Sequence, residues 1–427
     1  MKRQGGTEDS SERNLLTSME VKHTKGLDHL LPVRLTDGSE RYLANTMLYL
    51  TISHEEAAGC TKKNTLKCGK LVWLNPSLNS QVFSFTRPIK PKGIPVKMLE
   101  TASAPVTYSL STAPDSFDPY VCNLSPKFKN IALEELREDD NIRSQALAQF
   151  REWIAKHPTI KKCRTDAVFL LRFLRTKKFS VPAACEMLER YLTIRQLHPQ
   201  WFKRLDIDDK SLNEIISSGY LIPLPQRDAN GRQLILSCAG KFDPYKHTSE
   251  EMARTHSLVC EALIDDEESQ VAGYTYVNDE SGLSMGLISL WSLSEIKTMI
   301  KCIQNSTPMR HKETHFMNMP SYANKVIEFC MTVLTDKLKN RVVLHKNLDE
   351  LKTKVDPKLL PKEYGGTMPM SEMIEIFKEK ARKNRTAILA LDDMYIEVSK
   401  ESVNFAGNDD VDMDPGMVGS FRKLQVD

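Results

Sequence analysis

The chain has no long apolar run. No stretch approaches the ~20 consecutive apolar residues of a membrane-spanning helix, so any contact with a bilayer is expected to be peripheral. It also lacks cysteine pairs. Nine cysteines are scattered over 427 residues with no Cys-x-x-Cys, which fits reduced thiols in a cytoplasmic protein better than a disulfide framework. Met1-Lys2-Arg3-Gln4-Gly5-Gly6 runs into Thr7-Glu8-Asp9-Ser10 without an apolar core, so no secretory leader is expected there. Net charge is only +3, too small to imply nucleic acid as a partner, and any functional positive field must be local. There is no glycine-rich phosphate loop. What is present suffices for a packed core: 41% hydrophobic residues, 27% charged residues, and a length that allows two or three domains.

Residues 1–126 have poor helical periodicity, and seven of the 21 prolines fall between Pro88 and Pro126. This region reads as a mostly disordered extension with a strand or two. From Ile131 the pattern is regular. Helices are expected at about 131–156, 166–176 and 182–198, the last with Pro182 in its first turn and Ala184, Met187, Leu188, Tyr191 and Leu192 on one face. After Gly219 the period shifts. Tyr220–Leu224 and Gln233–Cys238 read as strands around the turn Asp228-Ala229-Asn230-Gly231, and Thr248 with Glu251 forms a capping box. Further strands are expected at Gly273–Val277, Thr314–Met319 and Arg341–His345, separated by helices at about 292–304 and 321–339. A short helix at about 371–383 follows, and then a loose acidic tail. Strands alternating with helices imply an α/β fold with a mostly parallel sheet.

The segment 306–366 carries the most chemistry. Arg310 and Lys312 leave one face of an extended chain. Lys337 and Arg341 share a face if the helix from Ser321, about five turns, runs that far. Four convergent cations suit a phosphorylated lipid headgroup, although a solvated charge run is the plainer account of either pair. The helix is apolar round most of its circumference. As a lid it would roof a cavity with Val326, Phe329, Cys330 and Val333 and turn Ile327, Met331 and Leu334 to lipid. As a core helix it would simply be buried.

Three other patterns are weaker. Gly282-Leu283-Ser284-Met285-Gly286 matches the nucleophile elbow of serine hydrolases, with Asp336 and His345 downstream, but Asn278-Asp279-Glu280-Ser281 separates it from the apolar strand. His311 and His315 have zinc-helix spacing but lie in an extended segment with no general base. Asp265-Asp266-Glu267-Glu268 lacks calcium-loop spacing and reads as a solvated helix end.

Four motifs in order resemble the CRAL-TRIO lipid carriers. They are Phe169-Leu170-Leu171-Arg172-Phe173-Leu174-Arg175-Thr176-Lys177-Lys178-Phe179, Asp279-Glu280-Ser281-Gly282, Asn318-Met319-Pro320, and Leu360-Pro361-Lys362-Glu363-Tyr364-Gly365-Gly366. The similarity spans about residues 130–398 and leans to the branch of α-tocopherol transfer protein, clavesin and cellular retinaldehyde-binding protein, in an insect-like form. It implies a helical N-terminal bundle at 127–205, a sheet-floored lipid cavity under a lid helix at 206–398, and a flexible tail at 399–427. It also implies a phosphoinositide cradle of Lys177, Arg310, Lys312, Lys337 and Arg341. Glu313 stands where the branch commonly has glycine. The resemblance argues against Ser284 as a nucleophile.

The expectation is a non-enzymatic, cofactor-free carrier, monomeric in solution and cytoplasmic. It would associate transiently with phosphoinositide-containing membranes, endosomal ones among the candidates, and bind no nucleic acid. Its cargo is a small hydrophobic lipid: a tocopherol, a retinoid, a sterol-like molecule or a phospholipid. The alternative is a protein-interaction module that regulates a small GTPase, with the N-terminal region as a docking arm.

Overall fold

The computed structural model describes residues 107–117 and 119–398, together with two short strand pairs earlier in the chain, Val33–Arg34 with Glu40–Arg41 and Leu71–Val72 with Val82–Phe83. The chain divides into two units, Met1–Ala104 and Pro105–Asp427. The expected loose extension and tail therefore lie almost wholly outside the described residues. Where the extension is described, it is packed. Leu110 and Tyr120 lie against the helical core, Leu124 is buried, and the Leu110 carbonyl accepts from the Cys163 amide at 3.0 Å.

The helical part comprises α1 (Pro126–Ile131), α2 (Asp140–Lys156), α3 (Ala167–Thr176) and α4 (Val181–Leu197). One helix was expected over 131–156, but the chain breaks. A π turn at Ala132–Leu136 ends with Arg137 at φ 64°, and Asp139 caps α2 through the Ile142 amide at 2.7 Å. The break turns Glu138 inward to meet two arginines. The sheet part follows with β1 (Leu221–Arg227), β2 (Gln233–Cys238), α5 (Ser249–Ile264), α6 (Glu267–Ala272), β3 (Tyr274–Asp279), α7 (Leu293–Asn305), β4 (His311–Met317), α8 (Asn324–Val333), α9 (Asp336–Lys339), β5 (Val342–His345) and α10 (Met370–Lys383).

The sheet order is β5-β4-β3-β2-β1, antiparallel between β1 and β2 and parallel elsewhere. The fold is the expected α/β arrangement. Leu221, Ile222, Leu224 and Leu234–Leu236 are buried in the main core with α5 and α10, as strands covered on both faces require.

Helix α3 is apolar on nearly all sides, yet two of its most buried residues are Arg172 and Arg175. Spaced three apart, they share a face that meets the acidic run after α5. Arg175 grips Glu138 with two bonds of 2.9 and 2.8 Å and reaches Glu267 at 2.9 Å and Gln270 at 2.8 Å. Arg172 bonds Asp265 at 2.7 Å and Glu261 at 2.9 Å, and Arg164 pairs with Asp166 and Asp265. The acidic run is thus not the solvated helix end expected from its composition. Asp265 and Glu267 receive buried arginines, while Asp266 caps α6. Burial pushes the Glu138 carboxyl up, but its bonds to Arg175 and Arg143 more than reverse this and leave it below the usual range.

Removing one partner of such a lattice strands a buried charge. Arg175→Met is expected to destabilise the protein by about 3–5 kcal/mol, read as a lower urea midpoint at unchanged m-value. A shift within experimental error would show that the lattice is not structural.

Candidate functional site

Two cavities lie side by side. The apolar one has a volume of about 320 Å³, within the roughly 300–1,000 Å³ of small-molecule sites. Its floor comes from strand alternation: Tyr276 and Asn278 of β3 pair with Thr314 and Phe316 of β4, and all four face the same side. One wall is the α5 stripe Met252, Ala253, His256, Ser257 and Cys260. Tyr191 and Ile194 of α4 and Met299, Cys302 and Ile303 of α7 supply others, and Trp201 against Trp291, ring centres 6.1 Å apart, closes one end. His256 is hydrogen-bonded to the Tyr220 hydroxyl at 2.9 Å, and burial pushes it down to about 4, so it is uncharged at neutral pH.

The second cavity, about 290 Å³, is lined by six cations, Lys177, Lys178, Arg310, Lys312, Lys337 and Arg341, and by one carboxylate, Glu135. The structure therefore brings all five expected cradle residues together and adds Lys178. That side chain arrives because Lys178 and Phe179 adopt left-handed conformations, φ 51° and 60°, in the turn that ends α3. Nothing local in the sequence announces that turn, so Lys178 was not among the cations expected here. Gly273, φ 90°, lies under the Arg310 carbonyl, where any Cβ would approach to 2.5 Å.

The acid in the cradle is not Glu313. That residue bonds Arg232 at 2.9 Å and His315 at 3.2 Å. Glu135, from the π turn of the helical part, bonds both Arg310 and Lys312 at 2.6 Å. No spacing signal links residues 175 positions apart, so the sequence could not offer it. Burial pushes Lys177 and Lys337 below their usual range, and neighbouring cations add to this: Arg190 and Lys337 around Lys177, and Arg341, Lys178 and Arg310 around Lys337.

The lid differs from expectation. Instead of five continuous turns, a short 3-10 turn (Ser321–Ala323) leads into α8, and the helix breaks at Leu334. Gln304 of α7 holds the break open. Its amide donates to the Val333 carbonyl at 3.3 Å and accepts from the Thr335 amide at 2.7 Å. Lys337 and Arg341 therefore belong to a separate element, with Lys337 on α9 and Arg341 just before β5. No residue of α8 is buried, which rules out the core-helix reading. Val326, Phe329, Cys330 and Val333 do not line the apolar cavity either. They are half-buried, as are Ile327, Met331 and Leu334, and α8 packs on α7, which supplies that wall.

Residues 217–366 match the family model described as the CRAL/TRIO domain, and residues 139–212 match a Pinta-like UBA domain. Clavesin-1 of Pongo abelii is 35% identical over 251 residues, covering 58% of this chain and 71% of that protein. Clavesin-1 of Xenopus laevis is 34% identical over 240 residues, covering 56% and 72%. Clavesin-2 of Homo sapiens is 31% identical over 251 residues, covering 58% and 77%. The chain belongs to the CRAL-TRIO family, on its clavesin branch. At the level of the family, this makes it a lipid-binding protein.

Three of the CRAL-TRIO motifs meet at one carboxylate. Asp279 accepts from the Asn318 side chain at 2.8 Å, the Ser281 amide at 3.0 Å and the Tyr364 hydroxyl at 2.7 Å. Asn318, φ 57°, is thereby fixed in the left-handed turn that launches the lid after Pro320. The hydrolase alternative finds no triad. The Ser284 hydroxyl caps a helical turn through the Leu287 amide at 3.2 Å, His345 bonds His315 at 3.0 Å, and Asp336 pairs with Lys339 at 3.4 Å. His311 and His315 take different surroundings, and among the described residues no cluster of three or more ligand side chains suits a metal. Nor is any described helix long and apolar enough to cross a membrane.

Glu280, next to Asp279, is pushed up to about 7 by burial and then by the Asp279 charge. Its ionisation therefore opposes folding. The effect is absent below the ordinary carboxylate range and grows as pH rises towards about 7. Glu280→Gln is expected to raise the melting temperature clearly at pH 8 and much less at pH 5. An equal change at both would show that Glu280 titrates normally.

Proposed function

We propose that this protein binds a small hydrophobic lipid in the apolar cavity and moves it between membranes, releasing it when the cradle engages a phosphoinositide headgroup. The observation that carries this reading is the clustering of Lys177, Arg310, Lys312, Lys337 and Arg341 around one cavity beside an apolar one. Burying a cargo's apolar surface is worth about 25 cal/mol per Å², so release needs a source of free energy at the target. A headgroup supplies it by relieving repulsion among cations drawn from the end of α3, the start of β4 and the chain after the lid. If headgroup binding weakens cargo binding by favouring an open lid, cargo must weaken headgroup binding by the same factor.

Glu135 occupies the place a phosphate would take between Arg310 and Lys312, so a headgroup has to displace it. Transient attachment to a phosphoinositide-bearing membrane, with the protein monomeric in solution, fits a carrier that must leave again. Mass spectrometry of organic extracts from the purified protein tests the carrier reading directly: a copurifying hydrophobic molecule is expected, and persistently empty protein that takes up no lipid rejects it.

Reversing two charges that line only the cationic cavity, Lys177→Glu with Lys337→Glu, is expected to leave cargo loading within about twofold and to slow transfer to phosphoinositide-containing vesicles about tenfold or more, since charge-assisted phosphate contacts are strong. Unchanged transfer rejects the coupling. Glu135→Gln removes the internal competitor and is expected to tighten binding to those vesicles several-fold, measured by flotation at fixed salt. Weaker binding would mean that Glu135 organises the cradle rather than competing for it.

A further inference from the structure

The two cavities share a wall made of Ile303, Met309 and His311. His311 is the polar member. Its Nε2 is shielded from solvent and has no hydrogen-bond partner. Burial, and then the Arg341 charge, push the imidazole down to about 4, so it is neutral and carries one N–H and one lone pair. Its ring lies 5.4 Å from that of Tyr276 on the cavity floor, and the Tyr276 hydroxyl is already turned to the Met309 sulfur at 3.8 Å. A buried ring nitrogen without a partner is costly unless something completes the bond.

The main chain of His311 belongs to the cradle. Its carbonyl accepts from the Arg341 guanidinium, and its neighbours Arg310 and Lys312 share Glu135. One residue thus has its side chain on the wall of the apolar cavity and its backbone in the grip of the headgroup cations.

The geometry points to His311 as the residue that hydrogen-bonds a single uncharged hydroxyl at one end of the cargo, and that carries the state of the cradle to it. This rests on the carrier reading above and adds the cargo's chemistry and orientation. A hydroxyl can serve either tautomer of the ring. A carboxylate would need a cation of its own, and the charge of the cavity's arginine, Arg195, is already compensated by Glu261 at 3.4 Å and Asp392 at 3.8 Å, although its Nη2 has no hydrogen-bond partner. The cargo therefore lies with its polar end towards the cradle. When an anion draws Arg341 away, the start of β4 loses a tether, the ring shifts, and the cargo's one polar bond goes with it.

Two probes test this on the full chain: a fluorescent long-chain polyene alcohol and the matching polyene hydrocarbon. The wild type is expected to bind the alcohol about three- to tenfold more tightly, the range of one neutral hydrogen bond. His311→Phe should erase the preference, and His311→Gln, which keeps a donor and an acceptor, should retain most of it. A water-soluble inositol bisphosphate should weaken binding of the alcohol more than of the hydrocarbon, and lose that difference in His311→Phe. Equal wild-type affinity for the two probes overturns the inference and leaves the carrier reading standing. Binding of neither probe overturns both. A preference that survives in His311→Phe overturns the role of His311, and if that variant does not fold, loss of the preference in His311→Gln does so instead.

Discussion

The buried lattice between α3 and the acidic run is the constraint on which the rest depends. Arg164, Arg172 and Arg175 give up water almost completely, and Glu138, Glu261, Asp265 and Glu267 receive them. Desolvating three guanidinium groups is tolerable only when every bond is made, so the lattice fixes how the helical part sits against the sheet. Both cavities inherit that placement. Glu261, which holds Arg172, also accepts from the Tyr191 hydroxyl at 2.7 Å on the wall of the apolar cavity. Arg175 ends the helix whose following turn delivers Lys177 and Lys178 to the cradle.

The lid is built on the opposite principle. One end is pinned at Asp279, where a strand end, the Asn318 turn and Tyr364 converge. The other is pinned where Gln304 satisfies the broken helix at Val333 and Thr335. Between those points α8 buries none of its residues fully. An element with firm ends and few buried contacts opens at low cost while its surroundings stay folded.

The cradle joins parts of the molecule that sequence separates widely. The helical part contributes Lys177, Lys178 and Glu135, the start of β4 contributes Arg310 and Lys312, and the chain after the lid contributes Lys337 and Arg341. Like charges held this close, partly shielded from water, repel one another, and a single carboxylate neutralises only part of them.

Much of this was legible in the chain. Period-two and period-3.6 patterns located the five strands and most helices to within a few residues, because apolar spacing reports directly on which face is buried. Four ordered motifs carried the family, and the five cradle cations were named from motif position. What the sequence did not determine was set by contacts between distant residues. The break at Leu334 depends on Gln304, the fate of the acidic run depends on arginines about ninety positions earlier, and the acid in the cradle is Glu135 because a π turn carries it there. Likewise no local pattern marks α7, rather than the lid, as the wall of the apolar cavity. Local spacing encodes the elements and their faces, but partners for buried charges and cavity walls exist only once the chain has brought those faces together.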